Sequence, residues 1–471
     1  DQLRKEILFE ISSIVNRIHH LQALVPEIEL TESNILDALK LHLYRIITKG
    51  ITGFDSPVAG NSIAELQPSL GGIKTALAFF KDTKPLIKNI DAAMAYVKQG
   101  GNDFNAFNRA VFIAQYLNPI STALNSYQKK QRIPFTQEER ALRPDANTLF
   151  EASAWQPLFY APSGTSKATA RQIALGKKLF AEPLLSANGK RSCASCHNPQ
   201  KAFTDGLALN VTLSGSGMLL RNTPTLYNAS LQSAQFYDSR ISFLEDQIHD
   251  VVSNQQEMNG QFASIVKVLE QKNSYKQLFC AAFADKNISA DNIRAAVAAY
   301  VRSLVLLNSP FDQFMRGNRK GMNAEQVAGF NLFAGKAKCA TYHFIPLFSG
   351  SVPPLFDKME SEVLGVPANK DTIGARMDAD SGKYALYKIP HHLFSFKTPS
   401  LRNVTLTAPY MHNGVYTTLE EVIDFYDRGG GAGLGIELPN QTLPGDRLDL
   451  TAVEKKQIIA FLHALKDTGK Q

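Results

Sequence analysis

Tryptophan occurs once in this 471-residue chain, at Trp155, and cysteine only four times. So sparse a cysteine set excludes a disulfide scaffold for a chain of this length. No uninterrupted apolar run reaches the ~18 residues that a membrane-spanning helix needs. The longest run, Ala295 to Leu307, is too short and carries Arg302. A basic tract is also missing. The net charge is +7, but Lys and Arg are scattered, which argues against nucleic acid as a partner. The chain opens at Asp1 with neither Met nor a signal peptide, and reads as processed or trimmed. What remains is ordinary globular composition, 44% hydrophobic and 20% charged. The length suits about two to four domains.

The four cysteines are Cys193, Cys196, Cys280 and Cys339. The first two stand in Cys193-Ala-Ser-Cys196-His197, the C-x-x-C-H spacing of c-type haem attachment. Two thiols add across the haem vinyls, and the following His supplies the proximal iron ligand. Zinc would need two further ligands at suitable spacing, and none follows. Covalent haem is attached outside the cytoplasm, so the expected location is periplasmic or extracytoplasmic. Anchoring through a removed N-terminus stays open. Cys280, in the apolar segment Leu278 to Phe283, is expected as a buried core thiol.

The chain repeats itself. Gly176-x-x-Leu179-Phe180 precedes Cys193, and Gly329-x-x-Leu332-Phe333 precedes Cys339. Thr223-Pro-Thr-Leu-Tyr-Asn228 matches Thr398-Pro-Ser-Leu-Arg-Asn403, and Leu244-Glu-Asp-Gln-Ile248 matches Leu419-Glu-Glu-Val-Ile423. Matched blocks in one order imply two related halves, 164–318 and 319–471, each a small helical cytochrome c-like domain. Residues 1–150 differ. Leu3, Ile7, Ile11, Ile14, Ile18 and Leu21 step by three and four, as do Ile35, Leu39, Leu43 and Ile46 after an N-cap at Thr31 or Ser33. These stripes predict an antiparallel helical bundle, with Pro144 to Thr165 as linker. The expected fold is all-α: a bundle followed by two cytochrome c-like domains in tandem. His19, His20 and His42 are read as exposed or satisfied side chains.

Residues 164–471 resemble the bacterial di-haem cytochrome c peroxidase and MauG-type family. The motifs that carry the resemblance are Ser192 to His197, Arg221 to Asn228, Phe236-Tyr-Asp-Ser-Arg240, Phe396 to Asn403 and Thr407-Ala-Pro-Tyr-Met-His-Asn-Gly414. The resemblance implies a peroxidatic haem on His197 in the first half. It implies an electron-transfer haem on His343 in the second, fed by a small cytochrome c or copper protein. Hydrogen peroxide would be the substrate. It also implies a calcium ion between the domains, held by Asn228 and the carbonyls of Thr407 and Pro409. Carbonyl and amide oxygens suit such a hard cation; for Asn228 a turn or cap role stands equally open. By position, Glu257 and Gln247 match the distal pair, acid-base and orienting. Tyr237 stands where the family usually has the bridging Trp. His412 matches a loop histidine near the second haem, and Arg402 is expected to pair with a haem propionate.

The sequence departs from the family at three places. The second attachment motif reads Cys339-Ala-Thr-Tyr342-His343, so one thioether is available there, with full or incomplete occupancy open. Tyr426 falls opposite Val251 when the halves are aligned on Leu419 and Leu244, and is the expected sixth ligand of the second haem, with Met411 as competitor. In the first half, Val251 and Leu220 stand where a removable ligand would come from, with Met218 the other donor nearby, so the first haem is expected open. An enzyme of MauG type, oxidising a protein or other substrate through a high-valent state, is the alternative. A non-enzymatic electron carrier or redox sensor is the second alternative, and Glu257 with Gln247 argue against it. The oligomeric state, including a dimer, is left open.

Overall fold

The computed structural model describes residues 2–24 and 29–469. In chain order the longer helices are α1 (Gln2–Leu24), α2 (Glu32–Arg45), α3 (Leu66–Leu77), α4 (Lys84–Gly100), α5 (Asn118–Lys130), α6 (Ala170–Phe180), α7 (Leu244–Ser253), α8 (Phe262–Glu270), α9 (Asn273–Ala282), α10 (Ala290–Arg302), α11 (Ala324–Phe333), α12 (Leu419–Asp427) and α13 (Ala452–Ala464). Two three-residue strands, β1 (Ser361–Val363) and β2 (Ser395–Lys397), pair antiparallel with Glu362 opposite Phe396. The fold is all-α, as the sequence pattern predicts. No described helix is long and apolar enough to cross a membrane.

The repeat is visible as two equivalent helix crossings. α6 opens with a capping box between Thr169 and Gln172, and α11 with one between Asn323 and Gln326. Each helix then meets the last helix of its half through a glycine. A Cβ on Gly176 would fall 1.8 Å from the Ala296 carbonyl oxygen of α10. A Cβ on Gly329 would fall 1.8 Å from the Gln457 carbonyl oxygen of α13. Only glycine permits backbones this close, so the Gly-x-x-Leu-Phe blocks are packing devices that position the attachment segments behind them.

The hydrophobic core does not divide as the repeat does. Leu175 to Val301 enclose one core. A second core joins side chains of Leu36 to Tyr160 with those of Leu307 to Leu465. Phe150 packs edge-to-face on Phe311 at 5.8 Å, and Trp155 on Phe356 at 4.9 Å. Asn118 Nδ2 donates to the Met315 carbonyl at 2.7 Å, and the Ala110 N–H donates to Asn331 Oδ1 at 3.0 Å. The segment expected as a linker, Pro144 to Thr165, is therefore a packed strap, with Phe150, Trp155 and Tyr160 buried. Its prolines mark irregular backbone, and its aromatics supply the core contact.

Two further expectations are corrected and a third is narrowed. α1 is a helix, but none of its described residues is buried, so it is not a member of the packed bundle. Amphipathic spacing predicts a face that can be covered, and does not name what covers it. Cys280 is exposed, because Tyr275 and Phe279 occupy the core face of α9 and Cys280 lies one residue round the helix. The N-cap of α2 is Thr31, whose hydroxyl accepts from the Asn34 N–H, leaving Ser33 to donate to the Pro134 carbonyl.

Candidate haem sites

The first site is built on a single helical turn, Cys193–Cys196, opened by Ser192. The His197 N–H closes that turn on the Cys193 carbonyl at 2.8 Å, which puts both thiols and the imidazole on one short segment. His197 Nδ1 lies 3.0 Å from the Phe203 carbonyl oxygen. A carbonyl only accepts, so Nδ1 carries the proton and Nε2 keeps its lone pair. Nε2 has no protein partner among the described residues. Burial lowers the His197 pKa and holds the ring neutral, the form a metal needs. Burial also raises the two thiols, Cys193 to about 12 and Cys196 to about 11. Asp205, which the sequence reading missed, braces this segment. Its Oδ2 accepts from Asn210 at 2.9 Å and from Thr223 at 2.8 Å, and Asn210 also reaches Cys196 Sγ at 3.5 Å.

Glu257 approaches the same thiols from the tight turn that follows α7. The N–H groups of Glu257, Met258 and Asn259 converge on the Asn254 carbonyl, and the Gly260 N–H returns to Val252. Burial raises the Glu257 pKa, opposed by Arg240 and by the hydrogen bond from Asn254 Nδ2 to Oε1 at 2.8 Å. Asn254 is a second residue the motif matching passed over; it stands three residues before the carboxylate. Gln247 and Val251 sit one turn apart on α7, both half-buried, and the Gln247 amide has no protein partner among the described residues. Met218 and Leu220 are both more than half exposed, on a small hairpin where Val211 bridges Met218.

The second site repeats the first with a change. His343 Nδ1 lies 3.2 Å from the Phe348 carbonyl and 3.1 Å from that of Pro399. Burial lowers its pKa to about 4, again leaving a neutral ring with a free Nε2. Tyr342 takes the place of the second thiol, and its hydroxyl donates to the Thr442 carbonyl at 3.3 Å. Tyr426 on α12 packs on Phe425 at 5.5 Å, and like Met411 and Tyr410 it lies against the cluster of Tyr416, Phe425 and Leu434. Burial raises its pKa, and Cys339, Glu362 and Tyr342 are among the groups that add to the shift. Its hydroxyl has no protein partner among the described residues. Tyr426 and Met411 thus lie in one cluster beside Cys339, and both stay in play.

Between the halves lies a polar seam. The Lys397 N–H donates to the Tyr237 carbonyl at 2.6 Å, and the Tyr237 hydroxyl reaches Asn222 Oδ1 at 3.5 Å. The Asn222 N–H donates to the His412 carbonyl at 2.7 Å. His412 is buried, stacks on Phe396 at 3.8 Å, and its Nε2 pairs with Asp378 at 3.1 Å. Arg221 reaches Asp238 and Asp380, each at 2.6 Å, which ties residues from both halves together.

Two residues expected to hold ligands have partners within the chain. The guanidinium of Arg402 donates to Asp312 at 2.9 and 2.8 Å and to the Pro346 carbonyl. Both partners are buried, so the fork expected to hold a propionate is occupied by a carboxylate of the chain itself. Asn228 donates from Nδ2 to the Leu306 carbonyl at 3.1 Å and accepts the Leu306 N–H at 2.7 Å. Its repeat partner Asn403 likewise accepts the Asp467 N–H at 2.7 Å. Both asparagines have positive φ, 58° and 63°, a conformation Asn tolerates. The amide expected on calcium thus also braces the chain, and its repeat partner does the same.

The donor chemistry fits haem. Two neutral imidazoles are each anchored through Nδ1, with Nε2 unpartnered and thiols on the same segments. A model of the di-haem cytochrome c peroxidase family matches residues 170–320. Over 312 residues the chain is 35% identical to a cytochrome-c peroxidase of Denitromonas iodatirespirans, across 63% of this chain and 82% of that one. The chain belongs to the di-haem cytochrome c peroxidase family. It is 34% identical over 301 residues to the methylamine utilization protein MauG of Methylorubrum extorquens, across 63% and 79% of the two chains. To cytochrome c551 peroxidase of Pseudomonas aeruginosa it is 32% identical over 361 residues, across 75% and 93%. The crystal structure of a MauG-like protein associated with microbial copper homeostasis superposes with a TM-score of 0.56 at 28% identity, over 65% of this chain and 94% of that one. The diheme peroxidase BthA of Burkholderia thailandensis shares the fold, with a TM-score of 0.53 at 21% identity. Family membership makes the chain an oxidoreductase and implies haem as its cofactor.

Proposed function

We propose that this protein is a di-haem c-type peroxidase that reduces hydrogen peroxide to water with electrons from a small cytochrome c or copper protein. Each turnover consumes one peroxide, two electrons and two protons and yields two waters. The observation that carries this reading is Glu257, half-buried beside the Cys193–His197 segment with a raised pKa. Cys193, Cys196 and His197 would hold the peroxidatic haem within residues 164–318. Cys339 and His343 would hold the electron-transfer haem within 319–471. Bound haem supplies the iron that takes the peroxide oxygen and passes electrons. Glu257 would take a proton from one peroxide oxygen and return it to the other. Asn254 holds one carboxylate oxygen and leaves the other without a protein partner among the described residues. Gln247 orients peroxide through its unpartnered amide. Tyr237, at the seam between halves, lies on the path for electrons.

Tyr426 is the sixth ligand of the second haem in this reading, supported by its helix position and its free hydroxyl. The same tyrosine favours the second reading, an oxidase of MauG type acting on a protein or other substrate. Residues 1–150 are assigned no chemistry. Thioether attachment of haem would go with a mature protein outside the cytoplasm. Calcium held by Asn228 and the carbonyls of Thr407 and Pro409 stays part of this reading, since the Asn228 amide oxygen that accepts the Leu306 N–H keeps a second lone pair.

Steady-state oxidation of a reduced small cytochrome c by peroxide tests this function. Glu257→Gln is expected to lower kcat/KM by about 10²–10⁴-fold, the range for loss of an acid-base group. An unchanged kcat/KM in that variant would remove Glu257 from the mechanism.

A further inference from the structure

None of the described residues of α1 is buried, and its surface is patterned for a partner. Leu3, Ile7, Ile11, Ile14, Ile18 and Leu21 are 69%, 50%, 51%, 55%, 47% and 61% exposed. At 100° per residue these six side chains fall within about 80° of the helix circumference. The spacing from Ile7 to Leu21 alternates four and three, the seam of a coiled coil. The helix is about 35 Å long at 1.5 Å per residue, enough for several seam layers.

The flanks decide the occupant. One flank carries Leu8 and Val15, and the other Glu10 and Arg17. In a parallel pair, residues of one flank face the opposite flank of the partner, which sets Glu10 against Val15. In an antiparallel pair each flank meets its own kind. Ile7 then faces the second copy's Ile18, and Ile11 its Ile14. Leu8 meets Val15, and Glu10 meets Arg17, each pairing made twice by the two-fold axis. Charge and apolar surface are complementary in this one arrangement, and e and g residues are what set orientation in such pairs. A lipid surface is a poorer match, because interfacial helices carry Lys and Arg on the polar face. Here Glu6 and Glu10 are mixed with Arg4, Lys5 and Arg17.

We infer that α1 joins two copies of this chain as an antiparallel helix pair, with Ile7, Ile11, Ile14 and Ile18 in the seam and Glu10 on Arg17 at its edge. This assembly is independent of the haem chemistry, and α1 contributes no residue to either site.

Sedimentation velocity of the haem-loaded full chain at about 20 μM, with and without phosphatidylglycerol vesicles, tests it. The expected species has twice the 51.9 kDa chain mass. Ile11→Asp with Ile14→Asp should give monomers that keep full peroxidase activity per haem. Glu10→Arg should weaken the dimer by at least about tenfold, and Glu10→Arg with Arg17→Glu should restore it, since charge reversal on both sides re-forms the pair. A monomeric wild type would overturn the proposal. So would a dimer indifferent to the double aspartate change, or a wild-type monomer that binds the vesicles.

Discussion

Gly176 lies against the carbonyl of Ala296 so closely that a Cβ on the glycine would stand 1.8 Å from that oxygen. Gly329 meets Gln457 at the same 1.8 Å in the second half. These contacts fix the first helix of each half on its last. Gly176→Ala and Gly329→Ala are each expected to destabilise by about 1–3 kcal/mol, the usual range for overpacking, or to block folding of that half. Denaturant unfolding followed at the two haems would separate the effects. Gly71→Ala, where nothing lies within 4 Å of the added carbon, serves as the neutral control.

Asp312 and Arg402 form a fully buried bidentate pair. Asp312→Asn leaves the guanidinium without its counter-charge and is expected to cost about 3–5 kcal/mol in chemical unfolding. The pairing depresses the folded-state pKa of Asp312. Its contribution is therefore complete above the unfolded carboxylate pKa and fades as pH falls through the folded value. The wild type should lose its stability advantage over Asp312→Asn on acidification. An advantage that grows toward low pH would contradict the pairing.

Much of this was legible in the residues. The all-α class, the repeated Gly-x-x-Leu-Phe helices and the helix carrying Tyr426 all follow from motif order and spacing. The in-chain partners of Arg402 and Asn228 were not legible. A motif position says that a guanidinium or an amide is required, and only the fold reveals that Asp312 and the Leu306 backbone are the partners. The shared core of residues 36–160 and 307–465 was hidden for a related reason. Periodicity shows which face of a helix is buried, and Phe150 on Phe311 or Trp155 on Phe356 is a pairing between distant segments that no local pattern carries. Cys280 shows the finer limit, since one residue of rotation separates the core face of α9 from solvent.

Iron and covalent mass report on the second attachment motif. With Cys193, Cys196 and Cys339 available, two irons per chain and three thioethers are expected. The pyridine haemochrome band should then contain a shifted component from the haem that keeps one vinyl. Tyr342→Cys should complete the fourth thioether and move the spectrum to a single band. One iron per chain would end the electron-relay role of the second half.

Tyr426 and Met411 share a cluster beside Cys339, and spectroscopy distinguishes them. Tyr426→Phe is expected to remove the phenolate charge-transfer band and leave the second haem high-spin. Met411→Leu should leave that spectrum intact. Loss of the low-spin signal in the Met411 variant alone would reverse the assignment.

Glu257 must be ionised to accept a proton, and burial raises its pKa above the usual 4.5. The kcat/KM for peroxide should therefore fall as pH drops through that raised value, with the inflection above 4.5. Glu257→Gln should abolish this acid limb along with most of the rate. An acid limb that persists in the variant belongs to another group.

Val251 cannot coordinate iron, and Leu220 and Met218 are exposed on their hairpin, so the first site is expected to accept peroxide in the fully ferric protein. Stopped-flow mixing of ferric enzyme with peroxide, without any reductant, tests this directly. The expected result is an immediate change in the haem absorption spectrum, strongly slowed in Glu257→Gln. A spectrum that stays unchanged until one electron per chain has been added would contradict it.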